Sequence, residues 1–282
     1  MTNICIIGMG LIGGSLSKSL RANGFSGKIT GVDKNPQHRI ISMYSGLADE
    51  FLPLEEAVAA SDLILLCSPV DANKVLLPLI LDLIAGTDKV VADMGSTKAE
   101  LAQIVKNHPG RGRYVAAHPM AGTEFSGPAA AVVNLFQNKV AIICDHSLSD
   151  EDAHQQVLAF LQSLGMRIQY MNSADHDVHV AYVSHISHIT SFALALSVLD
   201  KEKNEKNILT LAAGGFESTV RLAKSNAETW TPIFLGNAGP VIEVLDNYIE
   251  KMMAFRQSIV QQDAGGLHSL MHKANEINKI LK

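Results

Sequence analysis

A chain of 282 residues, 47% of them hydrophobic, has the material for two domains of ordinary size, each with its own core. A formal net charge of -5 and a pI of about 6.1 argue against a polyanionic partner, so nucleic-acid binding is not expected; nor is a membrane span, because the longest apolar runs are broken by Pro78 or Asp82. Cys5, Cys67 and Cys144 are widely spaced and each sits in an apolar run; with a strand in place of a leader from Asn3, the expectation is a cytoplasmic protein without disulfide or zinc site.

Residues 3–8, Asn-Ile-Cys-Ile-Ile-Gly, read as a short strand that leads directly into Gly-Met-Gly-Leu-Ile-Gly-Gly-Ser. Gly8, Gly10 and Gly13 keep the G-x-G-x-x-G spacing, which allows a tight turn, close approach of backbone to a pyrophosphate, and packing of the next helix on the strand. That helix is read over residues 11–23, so Leu11 and Ile12 supply backbone at its start. A second strand over residues 28–32 ends on Asp33, twenty residues past Gly13, where a carboxylate accepts the ribose hydroxyls of an adenosine and repels a 2′-phosphate. NAD is therefore expected over NADP, with Lys34 and Arg39 near enough to keep the second open.

The alternation continues: the end of a helix at 55–60, a strand at 62–67 apolar enough to be buried on both faces, the stop Ser68-Pro69, and a helix at 72–84. Ser68 and Pro69 lie where strand-end loops pass over a dinucleotide. A strand at 89–93 runs into Met-Gly-Ser-Thr-Lys, and Ser96 fits either of two roles, a cap for the following helix or a hydroxyl aimed at the ligand edge. Residues 114–117 form an apolar strand ending in His118-Pro-Met-Ala-Gly-Thr-Glu124, an imidazole and a carboxylate within seven residues at the edge where open α/β sheets bind ligands. A strand at 139–144, a helix at 150–164 and a strand at 167–170 complete this half.

From Asn172 the pattern is helical, with breaks at 201–207, 214–215, 236–240 and 265–266. This predicts an α/β dinucleotide-binding domain with a mostly parallel sheet over residues 1–171, and an all-helical domain over 172–282. The first long helix carries His176, His179, His185 and His188; His185 and His188 share a face, but Asp175 and Asp177 are the only carboxylates nearby and no metal site is expected. Gly214 and Gly215 read as a helix end, with Arg221 one to two turns into the next helix. Its planar fork suits bidentate binding of a carboxylate, although a solvated surface arginine fits the pattern equally.

In combination these stretches resemble the prephenate and arogenate dehydrogenases of tyrosine biosynthesis. The resemblance covers nearly the whole chain and rests on residues 8–15, on Asp-Met-Gly-Ser-Thr-Lys at 93–98, on the His118–Glu124 stretch, on Ser-His-Ile-Ser-His at 184–188, and on Gly-Gly-Phe with Arg221 and Trp230. It implies oxidative decarboxylation of prephenate to 4-hydroxyphenylpyruvate with hydride transfer to NAD, and a homodimer formed through the helical domain. It further implies that His118 is the proton acceptor, that Ser96 lies between substrate hydroxyl, histidine and cofactor, and that Arg221 grips a substrate carboxylate. By the same resemblance His188, Gly214 and Trp230 line the pocket, and Glu124 stands behind it. One departure is Glu217, where some relatives carry a basic residue; it turns the question toward arogenate, the alternative substrate. With no room for a fused mutase or regulatory domain, a monofunctional enzyme is expected. The rival readings are a β-hydroxyacid dehydrogenase and a non-catalytic NAD sensor.

Overall fold

Strands buried on both sides have no polar face to show, and the short apolar runs of the first half behave accordingly. The computed structural model describes residues 3–205 and 207–280. β1 (Asn3–Ile7), β2 (Lys28–Val32), β3 (Glu50–Phe51), β4 (Leu63–Leu66), β5 (Val90–Asp93) and β6 (Tyr114–Pro119) run parallel; β7 (Val140–Cys144) pairs antiparallel with β6, and β8 (Arg167–Met171) parallel with β7. The sheet order is β3-β2-β1-β4-β5-β6-β7-β8.

Successive side chains enter opposite cores. Ile4, Ile6, Leu63, Leu65, Val115, Ala117 and Ile143 join one apolar cluster, whereas Cys5, Ile7, Ile64, Leu66, Ala116 and Cys144 join the other. α1 (Leu11–Ala22) and α6 (Glu151–Ser163) cover the first face through Leu16, Leu20, Val157 and Phe160. α3 (Leu54–Ala59), α4 (Val70–Leu83) and α5 (Ala99–Ile104) cover the second through Val58, Leu77, Leu81 and Leu101. Each fully buried Leu or Ile contributes about 1.5–3 kcal/mol relative to exposure, which is what holds these short strands in register. α2 (Pro36–Tyr44), capped by Asn35, and the two-residue β3 were not among the expected elements.

Two compact units divide the chain, Met1–Asn237 and Ala238–Lys282. Within the first, β8 is followed by one continuous helical run: α7 (Ser173–Val180), a π-helical turn Ala181–His185, and α8 (Ile186–Glu202). By length and composition this run could cross a membrane, but its first half buries His176, Asp177, Val180, Ala181 and His185 in protein. The break read at 201–207 includes Lys206, which lies outside the described residues. α9 (Gly214–Val220), a 3-10 turn Arg221–Lys224 and α10 (Ala227–Gly236) follow. Gly214 and Gly215 thus open a helix rather than close one: Ala213 is extended and the two glycines are its first turn. The second unit holds α11 (Ala238–Val260) and α12 (Ala264–Ala274), the latter capped by Asp263, which accepts from the Gly266 N–H.

Candidate active site

Because β1 to β6 are parallel, the residues just past their C-terminal ends gather on one sheet edge, and the β1/β4 neighbours mark the switch point where dinucleotides bind. Gly8 follows β1 with φ +94, and a Cβ there would stand 2.6 Å from the Ser68 nitrogen that follows β4. A Cβ on Gly13 would lie 2.2 Å from the Gly8 carbonyl oxygen, so α1 packs tightly under the turn. Gly10 differs, since its added Cβ would meet no protein atom within 4 Å. Gly8 and Gly13 are thus required by protein packing, and Gly10 leaves open space at the start of α1, where Leu11 and Ile12 are half-buried. An open cradle at a helix N-terminus fits a pyrophosphate.

Asp33, at the end of β2, is nearly buried; its Oδ2 accepts from Met9 N at 2.9 Å and its Oδ1 from Asn35 N at 2.8 Å. These bonds fix the carboxylate beside the glycine turn, in the place a ribose needs it. His38 Nδ1 stands 3.2 Å from the same Oδ2. Ser68 donates its hydroxyl to Asn73 Oδ1, and Pro69 caps α4 by backbone alone.

His118 lies inside β6 rather than beyond it, its Cα paired with that of Ile142 in β7. Its Nδ1 is 2.8 Å from His176 Nε2, and His176 Nδ1 is 2.7 Å from Asp177 Oδ1. Burial first, then the neighbouring His176, Lys98 and His185, hold the His118 imidazole well below its ordinary value. Burial likewise lowers His176, against the pull of Asp177. Asp177 also accepts from Lys98 N at 2.8 Å and Ala99 N at 2.9 Å, so it caps α5 from α7. Ser96 is therefore not the cap of that helix; half-buried, its hydroxyl has no partner among the described residues and makes no bond to His118. Beneath this loop the buried Lys98 and Asp93 form an ion pair, and Tyr114 donates its hydroxyl to Asp93 Oδ1 at 2.6 Å.

The loop after β6 carries Glu124 to Arg221, whose Nη1 lies 2.7 Å from Glu124 Oε2. Arg221 begins the 3-10 turn after α9 and is half-exposed, so its remaining donors are open to a ligand. His188 stacks on Trp230 with ring centroids 3.4 Å apart, and His185 meets the same indole edge-on at 5.9 Å. The two imidazoles do share a helix face, but they are not equivalent. His185 is buried, with Asn237 Nδ2 at 3.2 Å from its Nδ1, and burial pushes it down to about 4. His188 is half-buried; its Nδ1 donates to the Ser184 carbonyl at 3.0 Å, which leaves Nε2 as an acceptor. Gly214 opens α9 on the surface, where an added Cβ would meet no protein atom within 4 Å.

The structure thus joins Glu124 to Arg221 and His188 to Trp230, and it adds His176, Asp177 and Asn237, which sequence reasoning did not place in the site. The adjacent His-Asp pair at 176–177 was the available signal, but its partners lie 58 and 79 residues away.

Two family models match the chain: the nucleotide-binding domain of prephenate dehydrogenase over residues 16–170 and its dimerization domain over residues 172–273. Among curated proteins, the cyclohexadienyl dehydrogenase of Zymomonas mobilis is 28% identical, covering 99% of this chain and 96% of that one. Among solved structures, prephenate dehydrogenase from A. aeolicus, in complex with hydroxyphenyl propionate and NAD+, superposes with a TM-score of 0.87 at 29% identity, covering 100% of this chain and 99% of that one. The arogenate dehydrogenase of Synechocystis superposes with a TM-score of 0.72 at 26% identity, covering 99% and 100%. On two matched domain models in the expected order, and on a shared fold across the full length, this chain belongs to the prephenate dehydrogenase family.

Proposed function

We propose that the protein catalyses oxidative decarboxylation of prephenate to 4-hydroxyphenylpyruvate, with NAD as hydride acceptor, as a step of tyrosine biosynthesis. The observation that carries this reading is the buried His118 on the ligand edge of the sheet, six residues before the Glu124 that pairs with Arg221. It supports reading His118 as the base, Arg221 as the carboxylate-binding cation and the glycine turn after β1 as the dinucleotide cradle. Gly8, Gly10, Leu11, Ile12, Gly13, Asp33, Ser68 and Pro69 would hold NAD, with Asp33 taking the ribose hydroxyls.

Bound there, NAD accepts a hydride from the ring carbon that carries the substrate hydroxyl. The chain's own residues must draw off the hydroxyl proton, hold two carboxylates and fix the ring. His118, neutral through burial, takes the proton; Ser96, with an unspent hydroxyl, orients the substrate hydroxyl toward it. Arg221 exchanges part of its contact with Glu124 for a substrate carboxylate, a bidentate geometry its exposed fork permits. The stacked His188 and Trp230, with Gly214 nearby in sequence to Arg221, bound the ring and side chain. Carbon dioxide then leaves as the ring aromatises, which supplies the driving force. General-base catalysis by His118 accounts for roughly a hundredfold to ten-thousandfold of the rate.

Residues 1–171 act as the nucleotide-binding domain and residues 172–282 as the substrate and dimerisation domain, a division supported by the matched models on either side of residue 171. The dimerisation reading is also supported by exposed apolar side chains on α8, Leu196 and Leu199, and on α11, Ile249, Met252 and Met253. A cytoplasmic location follows from a biosynthetic role. Arogenate is the second reading, favoured by exposed Glu217 on α9 and by the likeness to cyclohexadienyl and arogenate dehydrogenases. Reduction of NAD and of NADP by the purified protein, with prephenate and then arogenate, followed at the nicotinamide absorbance band, tests the reaction, the cofactor and the choice of substrate. Turnover only with arogenate selects the second reading, and no turnover with either rejects both.

A further inference from the structure

His118 sits at the end of a buried chain of polar contacts whose members constrain one another. An ionised carboxylate only accepts, so the His176 nitrogen 2.7 Å from Asp177 Oδ1, Nδ1, carries the hydrogen. Two backbone donors, Lys98 N and Ala99 N, point at the same carboxylate and fix it in place. A neutral His176 then has a bare Nε2, and the His118 nitrogen 2.8 Å from it, Nδ1, must be the one that donates. His118 is left with its hydrogen on Nδ1 and a lone pair on Nε2, the nitrogen with no protein partner among the described residues.

We propose that His176 and Asp177 are positioning residues that hold His118 in its Nε2-bare tautomer and take up the positive charge when that nitrogen receives the substrate proton. The inference rests on the dehydrogenase reading above. In the step, the hydroxyl proton of the substrate passes to His118 Nε2, the Nδ1 proton of His118 passes to His176 Nε2, and the charge comes to rest on an imidazolium whose Nδ1–H faces Asp177. No proton leaves the chain of contacts. Without the relay, the reverse tautomer, with hydrogen on Nε2, is the one free histidine favours, and it has no lone pair to offer.

The surrounding charges make this arrangement consequential. Lys98 lies on the α5 side and opposes charge on both imidazoles, His185 stands on the α8 side, and Asp93, paired to Lys98, offsets part of that cation. Asp177 contacts the His176 ring directly and no described carboxylate contacts that of His118, so charge delivered to His176 is better placed than charge left on His118. The same triad logic governs an imidazole oriented by a buried acid in hydrolases; here a second imidazole is interposed, which moves the carboxylate one ring further from the reacting atoms.

Two measurements test it on the full-length protein. Histidine ring 15N NMR at neutral pH without substrate, with signals assigned by His118→Asn and His176→Gln, reads the tautomers directly and does not depend on activity. The expected spectrum shows His118 bare at Nε2 and protonated at Nδ1, with His176 the same; a His118 protonated at Nε2 overturns the proposal even if the enzyme proves to be the proposed dehydrogenase. In turnover, His176→Phe is expected to lower kcat about ten- to a hundredfold, short of losing the base itself, with KM for prephenate changed less than about threefold. His176→Gln, whose amide oxygen accepts from His118 Nδ1 but cannot take a proton, is expected to recover part of that loss. It is also expected to displace the acid limb of the kcat/KM profile. A His176→Phe enzyme that folds and keeps kcat within about twofold of wild type removes the relay. If the wild type turns over neither prephenate nor arogenate, the dehydrogenase reading fails, while the tautomer result stands by itself.

Discussion

Lowering the pH should destabilise this protein through a specific buried imidazole, His185. The ring is 1% exposed, faces Asn237 and the edge of Trp230, and burial pushes it down to about 4 from 6.5. Its folded value lies below its unfolded one, so between these limits the unfolded chain binds the extra proton and stability falls as pH falls; above about 6.5 the group contributes nothing. With these two limits the loss at pH 5 is about 2 kcal/mol, approaching about 3 kcal/mol below pH 4. The perturbation is His185→Phe, which keeps an aromatic edge against Trp230 and cannot titrate. Urea unfolding at several pH values from 7 to 5 gives both stabilities. The stability of wild type minus that of the variant is expected to fall by about 2 kcal/mol from pH 7 to pH 5, because only the wild type has an imidazole here that takes up a proton on unfolding. Parallel pH dependences for the two proteins would refute the argument, since they would mean that His185 ionises in the folded state as readily as in the unfolded one.

Three further outcomes are expected. His118→Asn spares prephenate binding, measured by calorimetry with NAD present, and lowers kcat by at least about a hundredfold; near-native turnover would mean that the base is misassigned. Arg221→Ala raises the apparent KM for prephenate more than it lowers kcat, because a carboxylate grip is shared by ground state and transition state. Asp33→Ser raises KM for NAD and narrows the preference over NADP, read as the ratio of the two kcat/KM values; an unchanged ratio would detach Asp33 from the ribose.

What was legible in the sequence was whatever the backbone itself demands. Gly8 and Gly13 are required by positive φ or by contacts under 3 Å, and such demands leave the same residue type at the same spacing wherever the turn is built. β4 was legible because Leu63, Ile64, Leu65 and Leu66 are all fully buried, two toward each core, so no polar alternation interrupts the run. β3 was not, since two residues, Glu50 and Phe51, carry no period. The pair Gly214-Gly215 misled because glycine marks helix ends in isolation, whereas here an extended Ala213 sets the start of α9 and the glycines follow it. Ser96 was read as a possible cap because capping is usually local; the cap of α5 is instead supplied by Asp177, from 78 and 79 residues along the chain.

That long-range cap has a consequence for how the site is held. Asp177 uses Oδ1 for Lys98 N and His176 Nδ1, and Oδ2 for Ala99 N, while its own carbonyl accepts from Asn237 Nδ2 at 2.7 Å. One residue therefore joins the loop carrying Ser96, the base His118 through His176, and the end of α10, the helix that carries Trp230. Removing its charge leaves the buried Lys98 N–H and the partly buried Ala99 N–H short of an anion as well as the imidazole unsupported, and each such loss costs about 1–3 kcal/mol. Substitution of Asp177 consequently confounds folding with catalysis. Among the described residues the ring nitrogens of His176 meet His118 and Asp177, so its variants disturb the tautomer of the base while the α5 cap stays intact. The difference between the two positions separates what the contact does for the fold from what it does for the reaction.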